Sequence, residues 1–170
     1  MATIEKFMGI PSQPVAETGM LIRRLPKDVF RSFVEPAVTT KFWFTDSSGR
    51  LEPGRRVRWS WNMYGVHVDV RVLAMEEDKR ILIEWASGDE VPTQVEWKFE
   101  QQADGTTFVT IRNSGFAGSE EEKVRQALDS TEGFSLVLAG LKGLLEHGVE
   151  LNLVRDRHPG TVKPPAVVNA

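Results

Sequence analysis

Four tryptophans at alternating positions of strand-like segments are the residues with the clearest capacity to bind a ligand. Trp59 and Trp61 lie two positions apart in one segment, and Trp85 and Trp97 belong to two later segments. An indole combines a large apolar ring with one N–H donor. An ordinary aromatic core explains any one of these rings, but as a set they favour the wall of a cavity for an apolar or ring-bearing molecule.

A histidine and an aspartate offer a second kind of chemistry. His67 and Asp69 are two positions apart on one predicted strand, so they point to the same side and could act as a general base or bind a metal. They alternate with valines such as Val70, so we expect them on the outer, solvated face, in ion pairs with Arg58 and Arg71. If these polar residues faced the helix instead, the pair would become a catalytic candidate.

The rest of the chain contains no familiar catalytic or cofactor motif. It has no cysteine, which excludes disulfides, thiolate nucleophiles and iron–sulfur clusters. It has no Gly-x-Ser-x-Gly nucleophile motif and no glycine-rich phosphate loop. His147 and His158 have no third metal ligand nearby in sequence. We therefore predict no metal, no cofactor and no catalytic residue, and expect a non-catalytic or weakly catalytic binding protein.

The composition is that of an ordinary soluble domain. Of 170 residues, 41% are hydrophobic and 26% are charged, and 21 basic against 24 acidic residues give a net charge of −3. This balance argues against a nucleic-acid or membrane partner. No uncharged run approaches the roughly 18 apolar residues of a membrane span, and residues 1–11 lack the pattern of a signal peptide. We predict a cytoplasmic protein.

Hydrophobic periodicity predicts a mixed α and β domain. A strand over 15–25 is followed by two short helices, the first starting at Pro26 and the second ending at Lys41, and by a turn over 46–49. Five segments within 54–115 alternate apolar and polar residues and are joined by short turns. This alternation predicts an antiparallel meander with one apolar face.

A long helix follows the meander. Ser119 and the three glutamates after it are typical of a helix start, and the helix carries an apolar stripe that must cover the sheet. The predicted organisation is a lead-in segment over 1–13, a single domain over 14–158 and a disordered C-terminal tail over 159–170.

Six short motifs occur along the chain in a characteristic order. They are Pro26-Lys27-Asp28-Val29-Phe30, Lys41-Phe42-Trp43, Arg80-Ile81 before Trp85, Gly105-Thr106-Thr107, Asn113-Ser114-Gly115-Phe116, and Leu145-Glu146-His147-Gly148 after Gly133-Phe134. Together they resemble the START-like, or SRPBCC, helix-grip superfamily, and within it the branch named for the activator of heat-shock protein 90 ATPase. Asn113 stands where that family usually has histidine, and Phe134 where tryptophan is common.

The resemblance implies an α+β helix-grip (START-like) fold. In that fold a curved antiparallel sheet wraps around a long C-terminal helix, and two short helices follow the first strand. The expected function is to bind an apolar or aromatic small molecule in a cavity between the sheet and the C-terminal helix. Two alternatives stay open: a chaperone-interacting, stress-response module of the heat-shock protein 90 activator type, and an enzyme of the polyketide cyclase or aromatase kind. Monomer and homodimer are both compatible with the sequence.

Strand alternation predicts which residues face the cavity. They are Trp59, Trp61, Val68, Val70, Ile83, Trp85, Val95, Trp97, Val109, Ile111, Asn113, Phe116, Phe134, Leu138 and Leu141. Asn113 is the polar member expected to orient a ligand, because its amide can both donate and accept. The segment 113–116 has two interpretations: a turn that needs the backbone freedom of Gly115, or a mouth loop with Phe116 as its lid.

Overall fold

A computed structural model of the protein describes residues 13–160. The predicted lead-in and tail therefore lie almost wholly outside the described residues. The elements follow in the order β1 (Ala16–Ile22), α1 (Pro26–Val34), α2 (Pro36–Thr39), β2 (Asp46–Ser47), β3 (Arg56–Trp61), β4 (Val66–Glu76), β5 (Arg80–Ala86), β6 (Thr93–Gln101), β7 (Thr107–Ser114), α3 (Glu120–His147) and α4 (Leu153–Asp156).

The seven strands form one antiparallel sheet in the order β1-β7-β6-β5-β4-β3-β2. Helix α3 runs along β1. The hydroxyls of Thr18 and Ser135 share a hydrogen bond of 3.0 Å, and Nζ of Lys142 donates to the carbonyl oxygen of Leu21 at 2.7 Å. The predicted helix-grip architecture, with its curved sheet, long C-terminal helix and two short helices after the first strand, is confirmed.

The sheet has one buried and one solvated face, as the alternation predicts. In β4, His67, Asp69 and Arg71 are exposed, whereas Val70 is buried. Asp69 accepts a hydrogen bond from Nε of Arg58 at 2.9 Å, and this bond lowers the pKa of Asp69 below its ordinary value. The His67–Asp69 pair therefore lies on the solvated face, away from α3.

Three local features differ from the prediction. The predicted turn over 46–49 begins with strand β2, because the backbone N–H of Thr45 bonds to the carbonyl of Ser60 and continues the ladder with β3. A bulge between Val72 and Ala74 shifts the register of β4 against β5. Helix α4 is additional, since four residues are too few to show a helical period.

Helix α3 is fixed at both ends. The side chain of Ser119 accepts from the backbone N–H of Glu122, and the Glu122 carboxylate accepts from the backbone N–H of Ser119. Gly148 ends the helix with a left-handed φ of 66°, which favours glycine. At Gly140, an added Cβ would lie 3.4 Å from the carbonyl oxygen of Phe42. This close approach lets α3 pack against residues 40–45, the connection between α2 and β2.

Two negative findings apply to residues 13–160. Within that range, no helix is both long and apolar enough to cross a bilayer. The same range has no group of three His, Asp or Glu side chains placed to hold a metal ion.

Candidate functional site

Aromatic rings around Trp43 fill much of the space between the sheet and α3. The ring centroid of Trp43 lies 4.9 Å from that of Trp59, 5.7 Å from that of Phe134 and 6.1 Å from that of Trp85. Phe44 stacks on Trp59 with centroids 4.8 Å apart and an interplanar angle of 22°. Trp43 and Phe44 both belong to the α2–β2 connection, which therefore packs into the centre of the predicted cavity.

Nine of the fifteen predicted wall residues belong to this packed region. They are Trp59, Val70, Ile83, Val95, Trp97, Val109, Ile111, Leu138 and Leu141, each at most 1% exposed. They line neither of the two cavities described below, and Trp43 of the α2–β2 connection packs against two of them, Trp59 and Trp97. Nε1 of Trp97 is buried there with no hydrogen-bond partner among the described residues.

A cavity of about 270 Å³ remains where β3, β5 and β7 end beside the first half of α3. We call it the aromatic cavity, since the rings of Trp43, Trp61, Trp85 and Phe134 form its walls. Trp85 and Phe134 are stacked, with centroids 5.8 Å apart and an interplanar angle of 26°. Val154 from α4 lines the same cavity.

A second cavity of about 550 Å³ adjoins the first, and we call it the vestibule. The two share Trp85, Asn113 and Asp129 as lining residues, so they adjoin, and we call the pair the cleft. Val68 and Phe116 line the vestibule, and both are half-buried.

A chain of hydrogen bonds joins the polar groups between the two cavities. Asn113 donates from Nδ2 to Oγ1 of Thr93 at 3.0 Å and to the carbonyl of Gln94 at 2.8 Å, and its Oδ1 accepts from the Ser130 hydroxyl at 2.9 Å. Oγ1 of Thr93 also accepts from Nε1 of Trp85 at 2.8 Å. The protein thus satisfies the amide of Asn113 itself. The hydroxyl hydrogen of Thr93 has no acceptor among the described residues, so Thr93 is the free donor here.

Residues 149–158 form a strap beside the aromatic cavity. The Tyr64 hydroxyl lies 2.5 Å from the carbonyl oxygen of Val154. Burial raises the pKa of Tyr64 above its ordinary value, so the hydroxyl is protonated near neutral pH and donates this bond. Arg157 pairs with Glu132 of α3. The strap is therefore attached to the β3–β4 turn on one side and to α3 on the other.

Six of the predicted wall residues line the cleft. They are Trp61, Val68, Trp85, Asn113, Phe116 and Phe134. The lining also includes residues outside the prediction, among them Trp43, Thr93, Asp129 and Ser130. Thr93 continues the alternation of β6 by one step, and Asp129 and Ser130 lie about one helical turn before Phe134, so extending each period finds them. Trp43 lies in an irregular connection and carries no periodic signal.

The sequence matches one family model over most of its length. The model of Activator of Hsp90 ATPase homolog 1-like proteins matches residues 24–146. That range includes all the residues lining the cleft except Val154 of the strap. No curated protein matches the sequence.

Solved structures share the fold. A protein from Staphylococcus saprophyticus is 29% identical, with a TM-score of 0.66 and a match covering 81% of this chain and 95% of its own. The Aha1 dimer from Colwellia psychrerythraea has a TM-score of 0.68 at 20% identity, covering 79% and 97%. An HSP90 activator from Plasmodium falciparum has a TM-score of 0.64 at 13% identity, covering 78% and 96%.

Proposed function

The chain belongs to the Activator of Hsp90 ATPase homolog 1-like family, and on that premise we propose that it is a START-like protein that binds an apolar or aromatic small molecule. The ligand occupies the cleft between the end of the sheet and α3. One observation carries the proposal: two adjoining cavities, one of them walled by four aromatic rings, lie between the end of the sheet and α3.

The size of the cleft fits a small molecule. Ligand sites are typically apolar clefts of about 300–1,000 Å³ with a few polar groups that fix orientation. The aromatic cavity of about 270 Å³ takes one ring system, and the vestibule of about 550 Å³ takes a substituent attached to it. The hydroxyl of Thr93 supplies the orienting donor between them.

The polar groups of the cleft support binding more than catalysis. Asn113, Ser130 and Thr93 hydrogen-bond to one another and to the backbone. These bonds hold the wall in one arrangement. None of the three side chains is thereby paired with a base that would activate it as a nucleophile.

Gly133 offers a direct way to test the cleft. It lines the aromatic cavity in the middle of α3, and a Cβ added to it would meet nothing within 4 Å. Gly133→Leu fills the cavity without backbone strain, since a side chain here also raises helix propensity. Gly133→Ala is the matched control, because it gains the same propensity and leaves most of the cavity open.

The first measurement is native mass spectrometry of the protein purified from its own host. We expect added mass on the wild type and on Gly133→Ala, and none on Gly133→Leu. Titration with 1-naphthalenemethanol, followed by tryptophan fluorescence, provides a second readout. Equal binding by Gly133→Leu and Gly133→Ala would contradict the proposed site, provided that both variants unfold at or above the wild-type temperature.

A chaperone-interacting role is the second candidate. Family membership and the fold shared with the Plasmodium falciparum HSP90 activator favour it. It would place the protein in the cytoplasmic stress response and would depend on an outer surface. Stimulated ATP hydrolysis by purified heat-shock protein 90 supports this role, and equal stimulation by Gly133→Leu separates it from the cleft. No change in the hydrolysis rate at saturating protein would exclude it.

A further inference from the structure

The charge of the cleft is one-sided. Its charged lining residues are Glu90, in the vestibule, and Asp129, which lines both cavities. Among residues 13–160, no lysine, arginine or histidine lines either cavity. Neither carboxylate has a hydrogen bond or ion pair with another side chain among the described residues. The cleft therefore combines aromatic walls with two unneutralised negative charges.

Asp129 differs in this respect from every other acidic residue of α3. In the first turn, Glu120 pairs with Lys123, Glu121 pairs with Arg125, and Glu122 accepts a hydrogen bond from the N-cap. Later in the helix, Glu132 pairs with Arg157, and Glu146 pairs with Lys142 and Arg23. Asp129 is the one acidic residue of α3 whose carboxylate has no hydrogen bond or ion pair with another side chain among residues 13–160. It is also the one that borders the cleft.

The aromatic walls add attraction for positive charge. The face of an indole or phenyl ring carries negative potential and attracts a cation within about 6 Å of its centre. Nε1 of Trp85 already donates to Oγ1 of Thr93, so this ring has no free N–H that would repel a cation. Trp85 and Phe134 are stacked and line the aromatic cavity together with Asp129, and Trp85 and Asp129 also line the vestibule.

We propose that the ligand of the cleft is an apolar amine, an organic cation whose ring or hydrocarbon body lies in the aromatic cavity and whose ammonium group pairs with Asp129. This inference rests on the proposed function and narrows its ligand class. A carboxylate of the same shape would meet two like charges and no cation, so it would be repelled. A neutral molecule of the same shape would gain the apolar contacts alone.

Three probes that share one naphthalene body separate these cases. They are 1-naphthylmethylamine, 1-naphthalenemethanol and 1-naphthoic acid, titrated at pH 7 and low ionic strength by isothermal calorimetry. We expect the amine to bind about tenfold more tightly than the alcohol, since an ion pair and a cation–π contact are added. We expect the acid to bind most weakly. Raising the salt concentration should reduce the difference in affinity between the amine and the alcohol, because salt screens the ion pair.

Asp129→Asn tests the assignment to one residue. The side chain is exposed and keeps its shape, so the variant should fold as the wild type does. We expect the affinity of the variant for the amine to fall to its affinity for the alcohol, while its affinity for the alcohol stays that of the wild type. Glu121→Gln is the matched control, because it removes the same charge from the same helix at an exposed position away from the cleft. It should keep the preference for the amine.

The outcomes distinguish this inference from the function on which it rests. Equal affinity for amine and alcohol, or an amine preference that survives Asp129→Asn, overturns the ammonium site and leaves the apolar binding function standing. Binding of the amine that persists in Gly133→Leu places it elsewhere and overturns this inference as well. Failure of all three probes to bind at millimolar concentration contradicts both proposals.

Discussion

The interface between the sheet and α3 has a sealed part, the nine predicted wall residues that line neither cavity, and an open part, the six that line the cleft. Both parts follow the same alternating pattern. In the sealed part, Trp97 and Leu138 are at most 1% exposed, and the α2–β2 connection brings Trp43 against Trp97 with ring centroids 6.0 Å apart. In the open part, Trp85 and Asn113 border a cleft. Alternation thus decides which face a strand residue takes. Whether that face becomes core or cavity is decided by a segment that has no period.

The largest expected effect comes from Trp43, which stands at the boundary between the two parts. Trp43→Ala should lower the free energy of unfolding by about 3–5 kcal/mol, since it removes the ring around which the others pack. It should also enlarge the aromatic cavity. Urea denaturation measures the loss, and added indole should raise the melting temperature of the variant more than that of the wild type. A loss below about 1 kcal/mol would contradict the filling role of this ring.

A matched leucine pair on α3 sharpens the comparison between buried and solvated faces. Leu138 is fully buried in the sealed part, whereas Leu128 is 66% exposed on the same helix. Leu138→Ala should cost about 2–5 kcal/mol, and Leu128→Ala should stay within about 0.5 kcal/mol of the wild type. Both changes have the same effect on helix propensity. Equal losses at the two positions would show that α3 does not bury the assigned face.

The end of α3 in the sealed part depends on an ion cluster around Glu146. Its side chain is only 7% exposed and accepts from Nζ of Lys142 at 2.6 Å and from Arg23 at 3.2 Å. Burial alone would raise the pKa of Glu146, but these hydrogen bonds outweigh it and lower the pKa below its ordinary value. A carboxylate whose pKa is lowered on folding stabilises the protein above its unfolded pKa and ceases to do so as the pH falls through the folded value.

Glu146→Gln should therefore lower the free energy of unfolding by about 1–2 kcal/mol at pH 7. The difference from the wild type should begin to shrink as the pH falls below the unfolded value of about 4.3. Urea denaturation at several pH values down to 3 measures it. Glu121→Gln, at an exposed pair with Arg125, should have little effect throughout. A difference that stays constant over this range would contradict the assigned ionisation.

The fold could be predicted from the sequence because its main signals are periodic. The two-residue period placed Val70 inside and His67 outside, and the apolar stripe placed Leu138 against the sheet. The motif order that resembles a helix-grip protein pointed to the same architecture. The two-residue strand β2 and the four-residue helix α4 escaped, since neither is long enough for a period to show.

The candidate site could be predicted only in part. Both periods, extended by one step, lead to Thr93 and Ser130, but they do not show that the interior in front of Trp97 is filled. That depends on where the irregular connection places Trp43. Likewise, Val154 lines the aromatic cavity, and its carbonyl oxygen accepts a hydrogen bond from the Tyr64 hydroxyl. A backbone carbonyl is present at every position, so the sequence gives no signal for this bond.

The smallest expected effect on stability concerns the strap on the open side. Tyr64→Phe removes the hydroxyl that donates to Val154 and keeps the ring, so the cost should be about 0.5–1.5 kcal/mol. The strap should open more often, because this bond is one of its attachments and another, the Arg157–Glu132 pair, is exposed. Faster amide exchange in Asp156, whose N–H bonds to the Asn152 carbonyl, would report this opening without any ligand. In stopped-flow fluorescence, 1-naphthalenemethanol should dissociate faster from Tyr64→Phe than from the wild type. If amide exchange is faster but the dissociation rate of the ligand is unchanged, the strap does not close the aromatic cavity.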